Sequence, residues 1–289
     1  MSNLLSTLRI AFVGAGSMAE AIIRGLLNKG GMRGDQIFVT NYTNRIRLDE
    51  LENNYGVRTS QLPEEKEAAI RSADVVVIAF KPKDAADGIT ALRGLLHERQ
   101  LLVSVIAGLS IATIHDLLQS SSIPVVRTMP NTSSTIGLGA TGISFCPSVS
   151  DAQQAAAIDM FQSIGITSIV AEPLLDTITG LSGSGPAYIY YMMEAMIEGA
   201  VRGGLDREAA RLFTVQTVLG AARMVEETGE EPAELRHKVT SPNGTTQAAL
   251  ELLAERGFQE AASQAVLRAA ERAGEIGAAI SDAAASYTK

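Results

Sequence analysis

Ile10-Ala11-Phe12-Val13-Gly14-Ala15-Gly16-Ser17-Met18-Ala19 decides the fold. A short apolar run meets a glycine turn. The turn then enters a helical pattern in which Ile22, Ile23, Leu26 and Leu27 share one face. Gly14, Gly16 and Ala19 match the G-x-G-x-x-G/A fingerprint of dinucleotide-binding turns. Gly14 permits the tight turn, Gly16 leaves room for a pyrophosphate at the helix N-terminus, and Ala19 lets the helix lie close to the strand. A bare glycine turn is the plain alternative. The strand before it and the amphipathic helix after it favour the fingerprint.

Working outward, the first half alternates strand-like and helix-like segments. Arg9–Val13, Gln36–Thr40, Asp74–Phe80, Leu101–Ile106, Pro124–Thr128, Gly142–Phe145 and Ile166–Val170 read as strands. Ala19–Leu27, Arg47–Asn54 and Glu64–Ser72 read as helices. The contiguous Val75-Val76-Val77-Ile78 suits a strand buried on both faces of a parallel sheet. Alternation of this kind implies right-handed crossovers and a mostly parallel sheet. The second half changes character. Ala187–Arg202, Arg207–Thr228, Thr246–Arg256 and Gln259–Ser286 read as alanine- and leucine-rich helices, with few strand signals between them. The expected organisation is an α/β dinucleotide-binding domain over 1–171 and an all-helical domain over 172–289. So many helices in so short a stretch are expected to bury a face against another subunit; a self-contained bundle is the alternative. Gly180-Leu181-Ser182-Gly183-Ser184-Gly185-Pro186 lies near the join, as a hinge or as backbone that approaches a ligand closely.

Bulk properties narrow the function. The chain has 289 residues, 46% apolar and 19% charged, which excludes a disordered chain. A net charge of −8 without basic clusters argues against nucleic acid and anionic membranes as partners. A single cysteine, Cys146, and three scattered histidines offer no disulfide and no structural metal site. The first residues do not read as a signal peptide, and no apolar run approaches membrane-spanning length, so a soluble cytoplasmic protein is expected.

The end of the second strand selects the dinucleotide. An acidic residue there would hold the ribose 2′-hydroxyl of NAD. This chain has Asn41-Tyr42-Thr43-Asn44-Arg45-Ile46-Arg47 and no carboxylate before Asp49. Neutral donors such as Asn41 and Asn44, with Arg45 and Arg47, suit a 2′-phosphate, so NADPH is expected and NADH is the alternative. The plain reading of the arginines is a solvated helix start, although cations there oppose the helix dipole unless an anion joins them.

Lys238-Val239-Thr240-Ser241-Pro242-Asn243-Gly244-Thr245-Thr246-Gln247-Ala248-Ala249-Leu250 indicates the substrate. A turn runs into a helix whose first N–H groups can seat a small carboxylate, beside two threonine hydroxyls. A capped helix without a ligand is the plain alternative. A carbonyl reductase needs a proton donor for the developing alkoxide, often lysine. Between Lys83 and Lys238 there is no lysine. A protonated C=N bond already carries positive charge and asks only for a hydroxyl, which Thr246 can supply if Gly244, Thr245 and Thr246 hold the carboxylate.

Pro232–Leu253, which contains Val239 to Ala248 of this stretch, resembles the signature of the pyrroline-5-carboxylate reductase family. Leu181-Ser182-Gly183-Ser184-Gly185-Pro186-Ala187-Tyr188, Ala79-Phe80-Lys81-Pro82 and Arg127-Thr128-Met129-Pro130-Asn131-Thr132 resemble further motifs of that family, in order along nearly the whole chain. The resemblance implies NAD(P)H-dependent reduction of 1-pyrroline-5-carboxylate to L-proline. It implies a Rossmann domain followed by an all-α dimerisation domain of the 6-phosphogluconate dehydrogenase C-terminal type, with active sites at the interface of a homodimer. Larger rings of dimers, such as decamers, are also implied. It places Gly244, Thr245 and Thr246 on the substrate carboxylate, with the Thr246 hydroxyl facing the imine nitrogen as the catalytic group. It places Val13, Gly14, Ala15, Gly16, Ser17 and Met18 on the cofactor, along with Ala79, Lys81 and Pro82, then Ala107 and Gly108, and Asn131 on the nicotinamide side. Two departures stand out. Glu64-Glu65-Lys66-Glu67 lacks the asparagine that many relatives carry near the adenosine phosphate. Asn243 replaces the first glycine of the usual Pro-Gly-Gly turn, and asparagine tolerates positive φ better than most residues. A reductase of another cyclic imine acid or of a hydroxy acid, and a non-catalytic dinucleotide-binding protein, are the competing functions.

Overall fold

The computed structural model describes residues 4–287. Eight strands form one sheet: β1 (Ile10–Val13), β2 (Ile37–Thr40), β3 (Arg58–Thr59), β4 (Val75–Ile78), β5 (Leu101–Ser104), β6 (Val125–Met129), β7 (Gly139–Phe145) and β8 (Gly165–Ile169). Their order is β3-β2-β1-β4-β5-β6-β7-β8. Every neighbouring pair is parallel except β6 with β7. The order reverses at β1, which lies between β2 and β4. A crevice opens at such a switch point, outside the carboxyl ends of the strands.

The helices are α1 (Ser17–Asn28), α2 (Arg45–Tyr55), α3 (Pro63–Ser72), α4 (Ala85–Thr90), α5 (Ile111–Leu118), α6 (Asp151–Gln162), α7 (Leu174–Ile178), α8 (Gly185–Arg202), α9 (Arg207–Thr228), α10 (Pro232–Lys238), α11 (Thr245–Glu255) and α12 (Phe258–Ala284). The chain groups into two compact units. One runs to Ser184 and resumes at Leu267; the other is Gly185–Val266. The units therefore part inside the glycine-dense segment and again within α12.

The sheet unit closes its own core. All four residues of β4 are buried, as are those of β2 and β5. The seam of α1 against them is Ala19, Ile22, Ile23 and Leu26, each fully buried. Helices α4, α5, α6 and α7 lie outside the segments that the sequence pattern marks as helical, and two details of the sheet also escape it. The two-residue edge strand β3 carries Arg58 and Thr59, so no apolar run announces it. β7 runs antiparallel because only the 3-10 segment Thr132–Ile136 and a glycine corner join it to β6; parallel return needs a far longer crossover. Arg127 on β6 is buried and pairs with Asp176 (2.7 Å) and Glu172 (3.4 Å), tying the sheet to α7. The part of α12 in this unit buries Ala273, Ile280 and Ala284.

The helical unit is different. α8, α10 and α11 contain no buried residue, and α10 lies outside the segments that the sequence pattern marks as helical. Tyr191, Leu212 and Phe213 are 77%, 68% and 62% exposed. Among the described residues, no helix is long and apolar enough to cross a membrane.

Candidate active site

The glycine turn lies at the carboxyl end of β1. Gly14 has φ +113°, and a Cβ there would sit 2.4 Å from the Ala79 carbonyl oxygen at the end of β4. The turn and the β4 exit therefore meet backbone to backbone, as a glycine permits. Val13 and Met18 are half-buried, Ala15 is buried, and Gly16 and Ser17 are exposed. Gly16 is the N-cap of α1 in extended conformation, and no side chain caps that helix. A Cβ on Gly16 would have only the Ala79 oxygen near it, at 3.9 Å. An uncapped helix start with open space before it fits the pyrophosphate of a dinucleotide.

The other crevice residues come from the exits of β2, β4, β5 and β6. Asn44 caps α2 by accepting from the Arg47 N–H (3.0 Å). Asn41 donates to the Asn44 carbonyl (2.7 Å) and accepts from Gln61 (2.7 Å), so both asparagines shape their loop. Arg45 is exposed and pairs with Asp49 at 2.7 Å. Arg47 is turned inward, 23% exposed, and donates to the Ala15 carbonyl (3.0 Å), to Glu50 (3.0 Å) and to Glu20. Tyr55 donates to the other Glu20 oxygen (2.8 Å). The Arg47 hydrogen bond holds the Glu20 carboxyl below its ordinary range against an opposing burial effect. Burial lowers the Arg47 value, yet its hydrogen bonds to Glu20 and Glu50 leave it raised.

Lys81 is exposed at the start of the 3-10 turn Pro82–Asp84. Ala107 is half-buried and Gly108 buried, with φ +77°. A Cβ on Gly108 would meet the Ala273 carbonyl at 2.7 Å and the Gly277 nitrogen at 2.9 Å, both on α12. The Asn131 amide donates to the Ser182 carbonyl (3.0 Å) and accepts from the Ala140 N–H (3.1 Å). It thereby ties the β6 exit to the π-helical turn Thr179–Gly183.

In the helical unit, Ser241-Pro242-Asn243-Gly244 forms a turn closed by the Gly244 N–H on the Ser241 carbonyl (3.0 Å). Asn243 stands at φ +59°, the left-handed position that the departure from Pro-Gly-Gly demands. The Gly244 N–H is thus spent inside the turn. Gly244 is the N-cap of α11, again without a side-chain cap, so Thr245 and Thr246 offer the first N–H groups. Thr245 is exposed and Thr246 half-buried. Gln247 reaches back to accept from the Asn243 N–H (2.8 Å) and braces the turn. The glycine N-cap has no side chain to reciprocate, so this is not a capping box, and no local pattern in the sequence singles out Gln247.

Sheet order, glycine turn and uncapped helix starts define a Rossmann-type oxidoreductase with a helical C-terminal region. Residues 172–276 match the family model for pyrroline-5-carboxylate reductase dimerisation, and residues 9–108 match that for coenzyme F420-dependent NADP oxidoreductases. Pyrroline-5-carboxylate reductase 1 of Bacillus subtilis is 43% identical over 96% of this chain and 92% of its own length. The pyrroline-5-carboxylate reductase of Methanosarcina acetivorans is 37% identical over 93% and 98%. The solved pyrroline-5-carboxylate reductase of Coxiella burnetii superposes with a TM-score of 0.85 at 37% identity, over 93% of this chain and 98% of that one. The chain belongs to the pyrroline-5-carboxylate reductase family.

Proposed function

We propose that this chain reduces 1-pyrroline-5-carboxylate to L-proline with NADPH as the preferred donor and Thr246 as the catalytic hydroxyl. The observation that carries the reading is the uncapped start of α11 behind the Asn243 turn, in a chain that also holds an uncapped glycine-rich turn at β1. The Thr245 and Thr246 N–H groups bind the substrate carboxylate, with help from the helix dipole. The carboxylate-bearing carbon is bonded to the imine nitrogen, so the Thr246 hydroxyl hydrogen-bonds that nitrogen. The bound nicotinamide supplies the hydride. The hydride goes to the carbon of the C=N bond, the nitrogen keeps its proton, and a secondary amine results. The chain needs no strong acid for this step, in keeping with its lack of a lysine between Lys83 and Lys238.

Gly14, Gly16, Ser17 and Met18 hold the pyrophosphate, Ala79, Lys81 and Pro82 the adjoining edge, and Ala107, Gly108 and Asn131 the nicotinamide side. The solved Plasmodium falciparum pyrroline carboxylate reductase, 27% identical with a TM-score of 0.84, has NADP bound. That supports NADPH here, as do Arg45 and the absence of an acidic residue at the end of β2. The division at 171/172 is functional: cofactor before it, substrate and subunit pairing after it. The working unit is a cytoplasmic homodimer, which can assemble further into rings.

Thr246→Ala tests the role of the hydroxyl. Loss of one hydrogen bond to a charged group costs about 1.5–3 kcal/mol, so kcat/KM for the imine should fall about 10- to 100-fold. NADPH affinity should be unchanged. Unaltered turnover would remove Thr246 from the mechanism. A panel of five- and six-membered imine acids and hydroxy acids, followed by NADPH oxidation, separates this substrate from its competitors. Binding of NADPH without turnover of any of them would point to a sensor.

A further inference from the structure

We propose that Arg47 is a positioning residue for the dinucleotide turn, and that Arg45 is the one of the two arginines that discriminates the 2′-phosphate. The proposal rests on the cofactor reading above. Both arginines flank the β2 exit, and the sequence alone treats them alike. Their surroundings differ. Arg45 is half exposed, and its partners Asp49 (2.7 Å) and Glu52 (3.6 Å) lie along its own helix. Such a surface pair gives way readily to a doubly charged phosphate. Arg47 has its guanidinium committed on three sides: Nε to the Ala15 carbonyl (3.0 Å), Nη1 to Glu50 (3.0 Å) and Nη2 to Glu20. Tyr55 holds the second Glu20 oxygen, so the pair is fixed from α1 and from both ends of α2. A phosphate could recruit Arg47 only by breaking two ion pairs and releasing a backbone carbonyl.

That carbonyl gives the arrangement its function. The Ala15 oxygen and the Gly16 N–H belong to one peptide unit, which is trans. In a trans peptide the C=O and N–H point in opposite directions. An arginine that holds the Ala15 oxygen toward α2 therefore aims the Gly16 N–H away from it, toward the open space before α1. Arg47 sets the direction of a pyrophosphate donor without touching the ligand. The Arg47 hydrogen bond also lowers the Glu20 carboxyl from its ordinary value, which favours the charged form that the tie needs.

Full-length wild type, Arg47→Met, Glu20→Gln and Arg45→Met are titrated with NADPH and with NADH by nucleotide fluorescence, and kcat is measured at saturation. Arg47→Met should weaken both nucleotides by a similar factor, about tenfold, as expected for losing one charge-assisted contact. The NADPH/NADH affinity ratio should stay within about twofold, as should kcat at saturation, since the turn itself remains. Glu20→Gln should act in the same sense and more weakly. Arg45→Met should lower the ratio about tenfold through NADPH alone. Should Arg47→Met not fold, Arg47→Lys decides: it keeps a charge at the β2 exit but cannot hold Ala15 and Glu20 together, so both affinities should still fall with the ratio kept. A ratio lowered by either Arg47 variant, or wild-type affinity for both nucleotides, overturns the proposal. Wild-type protein that binds neither nucleotide overturns the cofactor reading and this proposal with it.

Discussion

The sheet unit and the helical unit spend their apolar residues differently. In the first, strands β2, β4 and β5 are buried at every position and the α1 seam is sealed against them. In the second, α8, α10 and α11 bury nothing, while Leu212, Val215 and Leu219 of α9 lie at spacings of three and four, all exposed. A stripe of that kind on a helix normally faces a core. One region carries its packing partners in its own sequence. The other leaves that stripe open and matches the family model for dimerisation.

The largest effect should come from breaking that second kind of burial. Leu212→Glu with Leu219→Glu removes two large side chains from each subunit's stripe and adds charge. Each lost burial is worth about 1.5–3 kcal/mol, so a twofold interface should dissociate and activity fall by about 100-fold or more. Light scattering reads the oligomer and NADPH oxidation the activity. NADPH affinity should be little changed, because the glycine turn belongs to the other unit. An intact oligomer would show that α9 is not the paired face.

The contrast also explains what the sequence could and could not tell. Val75-Val76-Val77-Ile78 announced a central strand because four contiguous apolar residues have few other uses. The glycine turn was legible for the same local reason, and so was the need for positive φ at Asn243. β3 and the reversal at β7 were not, since each depends on a connection length and an edge position rather than on residue type. Within the site, a reader of the sequence sees two cations beside Asn44. The choice between them depends on Glu20, which arrives from α1 and is brought to Arg47 only by the fold. The Gly244 N–H looked available until the turn closed on Ser241.

A middle-sized effect should come from α12, where the glycine signal is also non-local. In an alanine-rich helix Gly277 looks like a weak helix former. A Cβ there would lie 2.4 Å from the Gly108 carbonyl, in the loop proposed to hold the nicotinamide side. Gly277→Val must displace that loop, and overpacking of this kind costs about 1–3 kcal/mol. KM for NADPH should rise several-fold to tenfold. Gly274→Ala, one turn earlier on the same helix, meets only an Asp176 carboxylate oxygen at 3.8 Å and should leave KM unchanged. Equal effects of the two would mean that helix propensity, not loop contact, governs this stretch.

The smallest effect concerns Glu20, a charge shared between α1 and α2. Its carboxyl is held below the ordinary value of 4.5, first by the Arg47 hydrogen bond, then by Tyr55 and the nearby Arg47 and Arg24 charges, with burial opposing them. A carboxyl depressed in the folded state adds stability above its unfolded value and loses it as pH falls through the folded one. Wild type should therefore melt above Glu20→Gln at neutral pH, by a degree or a few, about 1 kcal/mol or less for a partly exposed pair. The gap should close as pH falls below 4.5 and Glu20 takes up its proton. A gap of constant size from pH 7 to 3 would assign it to the shape of the glutamine and not to the charge. The sheet unit would then be held to its glycine turn by hydrogen bonding alone, which makes its self-sufficiency a matter of geometry as much as of burial.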